Sequence, residues 1–310
     1  MTRATDAGPT QPATWALPEH WLVPDWPSPP GVHALCTARA GGVSQGPYAS
    51  MNLGSHVGDD PQAVQANRAR LQDLLAQRTP GARPVFLSQV HGTAVAALSE
   101  STPHGTEADA CVATDPGVVC TIMVADCLPV LLAHRSGAVV AAAHAGWRGL
   151  AGQGGVGVLE SAMRSVFEQN TALALNQKAQ AAIKNVANIN RASDEQGMAA
   201  VAADTLAWLG PCIGPRAFEV GAEVREAFCA HAPQYASCFA PSPTQPGKWL
   251  ADLAALARLR LQALGVTAIY GNDSSPGWCT VTQSSRFFSH RRDTAVLGGS
   301  GRLAACIWRG

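Results

Sequence analysis

The chain has 310 residues, enough for one large domain or two modest ones, and either buries a sizeable core. Its 22 Lys+Arg balance 22 Asp+Glu, so zero net charge excludes the broad electrostatic footprint of a nucleic-acid or anionic-membrane binder, though not a local arginine cluster around one small anion. No run of eighteen apolar residues occurs, which excludes a spanning helix of the usual length.

Residues 1–22 read as a loose tail rich in Pro and Trp, without the apolar stretch of a secretory signal. The nine cysteines are odd in number, scattered and free of CxxC pairs, which predicts reduced thiols and a cytoplasmic setting. A single folded domain is expected over 23–310. A strand is predicted over 31–38, and the glycine turn Arg39-Ala-Gly-Gly-Val-Ser44 follows it. Asp60-Pro61 then opens a helix with an N-cap and a proline at N1, running to about Arg78 on the apolar positions Val64, Leu71, Leu74 and Leu75.

Strands are predicted at 84–90, 93–98, 118–124, 129–134 and 138–143. The runs VVCTIMV and AVVAAA are apolar on both faces, as central strands of covered sheets should be. Helices are predicted at about 156–168, 219–230 and 249–264, and strands at 205–209, 266–270 and 302–308. Residues 170–203, rich in Ala, Asn and Gln, read as a surface insertion. Strands in runs and strands between helices together predict an α+β fold.

Three strand-end loops carry chemistry: Ser88-Gln-Val-His91-Gly92, Ala125-Asp126-Cys127-Leu128-Pro129 and Ala143-His144-Ala-Gly146-Trp147-Arg148-Gly149. His91, Cys127 and His144 are too far apart in the chain for a zinc finger. They suit a catalytic metal site assembled where several strand ends converge, with three protein ligands and an open fourth position. On residues alone a buried Cys and hydrogen-bonded histidines remain the alternative. Asp126 is a candidate to orient a ligand or, equally, to cap a turn.

The ordered motifs SQVHG, ADCLPVLL, AAAHAGWRGL, LGPCIGPRAFEVG and RFFSHRRD, with TARAGGVS and NLGSHVGDDP before them, resemble the laccase-domain family (multicopper polyphenol oxidase-like, YfiH-type) from about residue 23 to 308. The resemblance implies a single-domain four-layer α/β/β/α sandwich with mixed sheets. It implies one zinc on His91, Cys127 and His144, which would also be the catalytic residues. It further implies a purine nucleoside phosphorylase acting on adenosine, inosine and methylthioadenosine, with adenosine deaminase activity. Purine nucleosides and phosphate would then be the partners, with neither nucleic acid nor membrane. Copper could replace zinc, but the nine histidines include no HxH pair with which to build a trinuclear cluster.

Phosphorolysis needs a grip on phosphate and ribose. The candidates are Arg39, Asn52, Arg148 and Arg291, with His56 beside them, because the guanidinium fork matches two phosphate oxygens. Arg148 and Arg292 read equally well as loop anchors. Several positions depart from the family pattern: the long 170–203 segment, the extended TAVLGGS stretch, Cys212 in GPCIGP, and His290 where Tyr is usual. These bear on substrate preference rather than metal binding. Two other readings compete. One is a Cys-His hydrolase, with Cys127 as nucleophile and His144 as base, acting in peptidoglycan editing. The other is a non-catalytic module braced by metal. A copper-dependent polyphenol oxidase is a weaker alternative.

Overall fold

The computed structural model describes residues 17–181 and 192–310. In chain order its strands and helices are β1 (Val32–Cys36), α1 (Pro61–Arg78), β2 (Arg83–Phe86), β3 (Val95–Leu98), β4 (Ala110–Ala113), β5 (Val118–Val124), β6 (Leu128–His134), β7 (Val140–Ala145), α2 (Trp147–Ala151), α3 (Val158–Ala181), α4 (Ala192–Ala203), β8 (Thr205–Leu209), β9 (Glu219–Val220), α5 (Ala222–Cys229), β10 (Phe239–Pro241), β11 (Trp249–Ala251), α6 (Leu253–Ala263), β12 (Ala268–Gly271), α7 (His290–Leu297) and β13 (Leu303–Arg309).

Two mixed sheets stack face to face. The first has the order β1-β13-β5-β2 and the second β12-β8-β6-β7-β4-β3. Side-chain alternation sorts the residues into three apolar layers. In β5, Val118, Cys120, Ile122 and Val124 point into the layer between the sheets, while Val119 and Met123 point the other way, onto α1. In β7, Val140 and Ala142 join the inter-sheet layer, and Ala141, Ala143 and Ala145 pack under α3 and α6. Helix, sheet, sheet, helix is therefore the order of layers, an α+β sandwich. A small third sheet, β10-β11-β9, sits beside α5.

Helix α1 starts as its sequence predicts: the Asp60 carboxylate accepts the Gln62 N–H at 3.0 Å, and Pro61 occupies N1. Other expectations shift. The strand expected over 84–90 ends at Phe86, freeing the SQVHG stretch to loop between sheets. The helices expected at 219–230 and 249–264 each begin one short strand later, because Glu219–Val220 and Trp249–Ala251 pair with each other. Of the expected tail 1–22, residues 1–16 lie outside the described ones. Trp21, by contrast, is buried, donates its indole N–H to the Ala40 carbonyl and is followed by a bridge from Leu22 to Cys36. The centre of the expected insertion, 182–191, lies outside the described residues. Its flanks extend α3 and form α4, whose Val201 and Ala202 are buried in the core.

Candidate metal centre and its cleft

The register of the second sheet builds the site. In the antiparallel pair β4–β7, Ala110 lies opposite Ala143, so one step further Asp109 lies opposite His144, and the His144 N–H donates to the Asp109 carbonyl at 2.7 Å. His144 shares the face of Val140 and Ala142, and Asp109 that of Cys111 and Ala113, so both side chains reach the inter-sheet layer at its open end. There His144 Nδ1 and Asp109 Oδ1 are 2.8 Å apart, which leaves His144 Nε2 for a ligand. Cys127 immediately precedes β6, opposite Gly146 by the same register.

His91 arrives from the first sheet. The Gln89 side chain clamps the end of β5 at two points, donating to the Met123 carbonyl and accepting its N–H, each at 2.8 Å. Asp109 then accepts three successive backbone N–H groups: Val90 at 3.2 Å, His91 at 2.9 Å and Gly92 at 2.7 Å. One buried carboxylate thus orients His144 and fixes the His91 loop. It also holds His91 at φ +61°, a left-handed conformation that costs a side-chain-bearing residue energy. These hydrogen bonds, with His144 foremost, keep the Asp109 carboxyl below its usual range although burial alone would raise it.

Cys127 Sγ and His91 Nε2 are 3.7 Å apart, and the two imidazoles meet edge to face with ring centres 4.8 Å apart. A Cβ at Gly146 would lie 2.9 Å from the His91 ring and 3.0 Å from Cys127 Sγ, so glycine is what lets the three groups converge. Burial pushes the Cys127 thiol up, but neighbouring His144 and His91 outweigh it and bring it down to about 6. Burial lowers His144, while the Cys127 thiolate and Asp109 prevail and raise it to about 9.

The donor chemistry fits a divalent metal. The three donor atoms lie within 4.8 Å of one another, wider than the roughly 3.3–3.8 Å edges of a tetrahedron whose bonds are ~2.0–2.3 Å long, so a bound ion would draw them together. A lowered thiol would supply an anionic ligand, and the carboxylate behind His144 would be the outer partner that metal-binding histidines normally have. Among the described residues this is the one His/Cys/carboxylate group with such spacing. All nine histidines lie among those residues, so no second cluster stands ready for multicopper chemistry.

The cluster forms the floor of an open cavity of about 370 Å³. Trp147, Ile213, Phe218 and Leu253 give it apolar walls; Arg148, Arg291 and Arg302 give it a cationic rim, with His56 and His290 beside them. Of the sequence candidates, Arg148, Arg291 and His56 line this cavity. The Arg148 guanidinium lies 4.4 Å over the Trp147 ring, and Arg291 reaches the Glu219 carbonyl at 3.3 Å.

Arg39 and Asn52 do not line the cavity. Arg39 is committed to the Asp293 carboxylate at 3.0 Å and to the Ala49 carbonyl at 2.9 Å. Asn52 is fully buried, and its amide oxygen accepts the N–H groups of Gly54 and Arg302. Arg292 likewise anchors loops, through Asp293 and the carbonyls of Thr280, Val281 and Phe287. Asp126, beside Cys127, holds neighbouring loops: it accepts the Thr280 hydroxyl and the Arg291 N–H, each at 2.6 Å, from a backbone held at φ +89°.

Sequence reasoning missed Asp109 and Arg302. Asp109 had a usable signal, an acidic residue immediately before the small apolar run Ala110-Cys-Val-Ala113. Arg302 had none, because its role depends on Asn52, fixed 250 residues earlier.

Fold and site together define a two-sheet sandwich protein with a His-Cys-His cluster at one end that could hold a metal ion. The chain belongs to the family described as multi-copper polyphenol oxidoreductase laccase, whose model matches residues 33–310. It is 45% identical over 288 residues to a protein of Pseudomonas aeruginosa named purine nucleoside phosphorylase, covering 93% of this chain and 98% of that one. It is 44% identical, with the same coverage, to the purine nucleoside phosphorylase YfiH of Escherichia coli. A crystal structure of Neisseria meningitidis protein NMB0706 superposes with a TM-score of 0.72 at 42% identity, covering 94% of this chain and 99% of that one.

Proposed function

We propose that the chain is a zinc-dependent purine nucleoside phosphorylase, cleaving adenosine, inosine and methylthioadenosine with phosphate and also deaminating adenosine. The observation that carries this reading is the open His91–Cys127–His144 centre at the floor of a cavity with apolar walls and a cationic rim. The relatives named purine nucleoside phosphorylase support it. Zinc held by His91, Cys127 and His144 would supply a Lewis acid.

The chain's own groups do the rest. Trp147, Phe218 and Ile213 offer faces for a flat purine, and desolvating it there favours binding. Arg148, Arg291 and Arg302 offset the charge of phosphate and of the departing base. A phosphate oxygen bonds to ribose C1′ as the C1′–N9 bond breaks; the purine leaves with that electron pair and takes up a proton. The products are free base and ribose 1-phosphate, or its methylthio analogue. Asp109 holds His144 in one tautomer and the His91 loop in one conformation, so the floor is organised before substrate arrives.

One observation favours a second reading. In the metal-free cluster the lowered Cys127 thiol and raised His144 form a thiolate–imidazolium pair, the arrangement of a Cys-His hydrolase. Two measurements decide between them: the metal content of protein purified without added metal, and the sugar released from inosine with and without phosphate. Bound zinc and phosphate-dependent ribose 1-phosphate support the phosphorylase; free ribose from a metal-free chain supports the hydrolase. We place the enzyme in the cytoplasm, acting on small molecules rather than nucleic acid. All nine cysteines are free thiols, and among the described residues no helix is long and apolar enough to cross a membrane.

A further inference from the structure

A second chamber, of about 480 Å³, opens on the α1 side of the first sheet. It shares His56, Gln89 and Met123 with the main cavity, so the two meet around the end of β5 beside the metal centre. Its wall carries Arg68, His56 and His104, and no carboxylate lines it. Arg302 stands at the junction, on the main-cavity side.

Arg68 differs from the structural arginines. Arg39, Arg260 and Arg292 each hold an acid within 3.0 Å, whereas no ion pair to Arg68 occurs among the described residues. Its Nε donates to the Leu53 carbonyl at 2.9 Å, its guanidinium lies 4.0 Å over the Phe86 ring, and Nη2 is 3.4 Å from the Ser55 hydroxyl. The head is thus held in place with its charge uncompensated, as an anion site requires. His104 uses Nδ1 to accept the Phe86 N–H at 3.3 Å, which leaves Nε2 as a donor. His56 and His104 are both lowered, first by burial and then by nearby arginines, Arg68 among them, the mark of a wall with surplus positive charge.

We propose that this chamber is a binding site for a phosphate dianion, with Arg68, His104 and His56 as its donors and Arg302 at its passage to the metal centre. The inference rests on the phosphorylase reading insofar as that reading puts a nucleoside in the adjoining cavity. Two sources share the chemistry: inorganic phosphate as co-substrate, and the 5′-phosphate of a nucleoside monophosphate reaching across from the main cavity.

The test is calorimetric titration of the full chain with inorganic phosphate and, separately, with adenosine 5′-monophosphate. The variants are Arg68→Met, Arg68→Lys and His104→Gln, with Arg39→Met as control. Arg68→Met should weaken binding by about 10–100-fold, the loss of a charged hydrogen-bond pair. Arg68→Lys should recover part of it, and Arg39→Met should leave it unchanged. Loss confined to inorganic phosphate, with the phosphate KM raised and the nucleoside KM constant, identifies the co-substrate. Loss confined to the monophosphate identifies the nucleotide.

Binding that survives Cys127→Ala but not Arg68→Met separates the chamber from the metal. Arg68-dependent binding without phosphorolysis in the parent protein would keep this site and remove the phosphorylase reading. Failure of the parent protein to bind either anion, or equal binding by Arg68→Met, would overturn the inference.

Discussion

The donors and the cationic rim of the cleft are placed by different means. Cys127 and His144 stand at strand ends, where register and pleat decide which way each side chain points, and His91 sits on a loop that the strand-end carboxylate of Asp109 pins. The arginines come from loops and helix starts around residues 39, 148 and 286–302, where a guanidinium can be spent on the fold or left for a ligand. Arg39 and Arg292 are spent on Asp293 and on carbonyls; Arg148 and Arg302 reach the cavity. Residue type and backbone position together mark a candidate metal ligand, whereas an arginine's role depends on the partners it already has.

The sharpest way to break this contrast is at the donors. Cys127→Ala removes the sole anionic ligand and should abolish metal retention and turnover, a loss well beyond ~100-fold, with the fold intact by circular dichroism. Next comes Asp109→Asn, which turns an amide N–H toward the N–H groups of residues 90–92. Metal affinity should fall by about 10–100-fold, read by competition with a chelating dye. Unchanged affinity would show that Asp109 does not organise the cluster.

A smaller and more selective effect concerns the thiols. The reactive form is the thiolate, so in metal-stripped protein alkylation of Cys127 should rise through about pH 6 and level off above it. Burial pushes Cys36 strongly upward, Cys306 to about 12 and Cys238 to about 11, so these should stay unmodified at neutral pH while the chain is folded. Mass spectrometry of the alkylated peptides reads both. The least kinetic effect belongs to Arg39→Met. It should cost about 1–3 kcal/mol of stability through lost charged hydrogen bonds and lower Tm, with KM for phosphate unchanged. A raised KM instead would return Arg39 to the site.

The same contrast explains what was legible in the sequence. The α+β class and the long central strands showed because VVCTIMV and AVVAAA are apolar on both faces, a pattern that burial between layers imposes. Strand β4 was missed because Ala110–Ala113 is short and follows Glu107 and Asp109, and Asp109 was hidden with it. Strands β9 and β11 read as helix because their extended form comes from pairing across the chain rather than from local propensity. The 170–203 segment looked like surface by composition, yet Val201 and Ala202 pack under the second sheet's outer face, since alanine fits wherever a helix approaches closely. Arg39 and Asn52 looked like ligand residues by type, and only tertiary partners show them holding loops.

The central claim, a metal-dependent phosphorolysis centre at His91, Cys127 and His144, is tested most directly by removing the metal in steps. Chelator is titrated against the purified chain, and at each step the zinc remaining and the ribose 1-phosphate formed from inosine and phosphate are measured together. Activity should fall in proportion to zinc, reach zero in the metal-free chain and return with one equivalent of zinc per chain. Full phosphorolysis by metal-free protein, or zinc-bound protein that never forms ribose 1-phosphate, would contradict it.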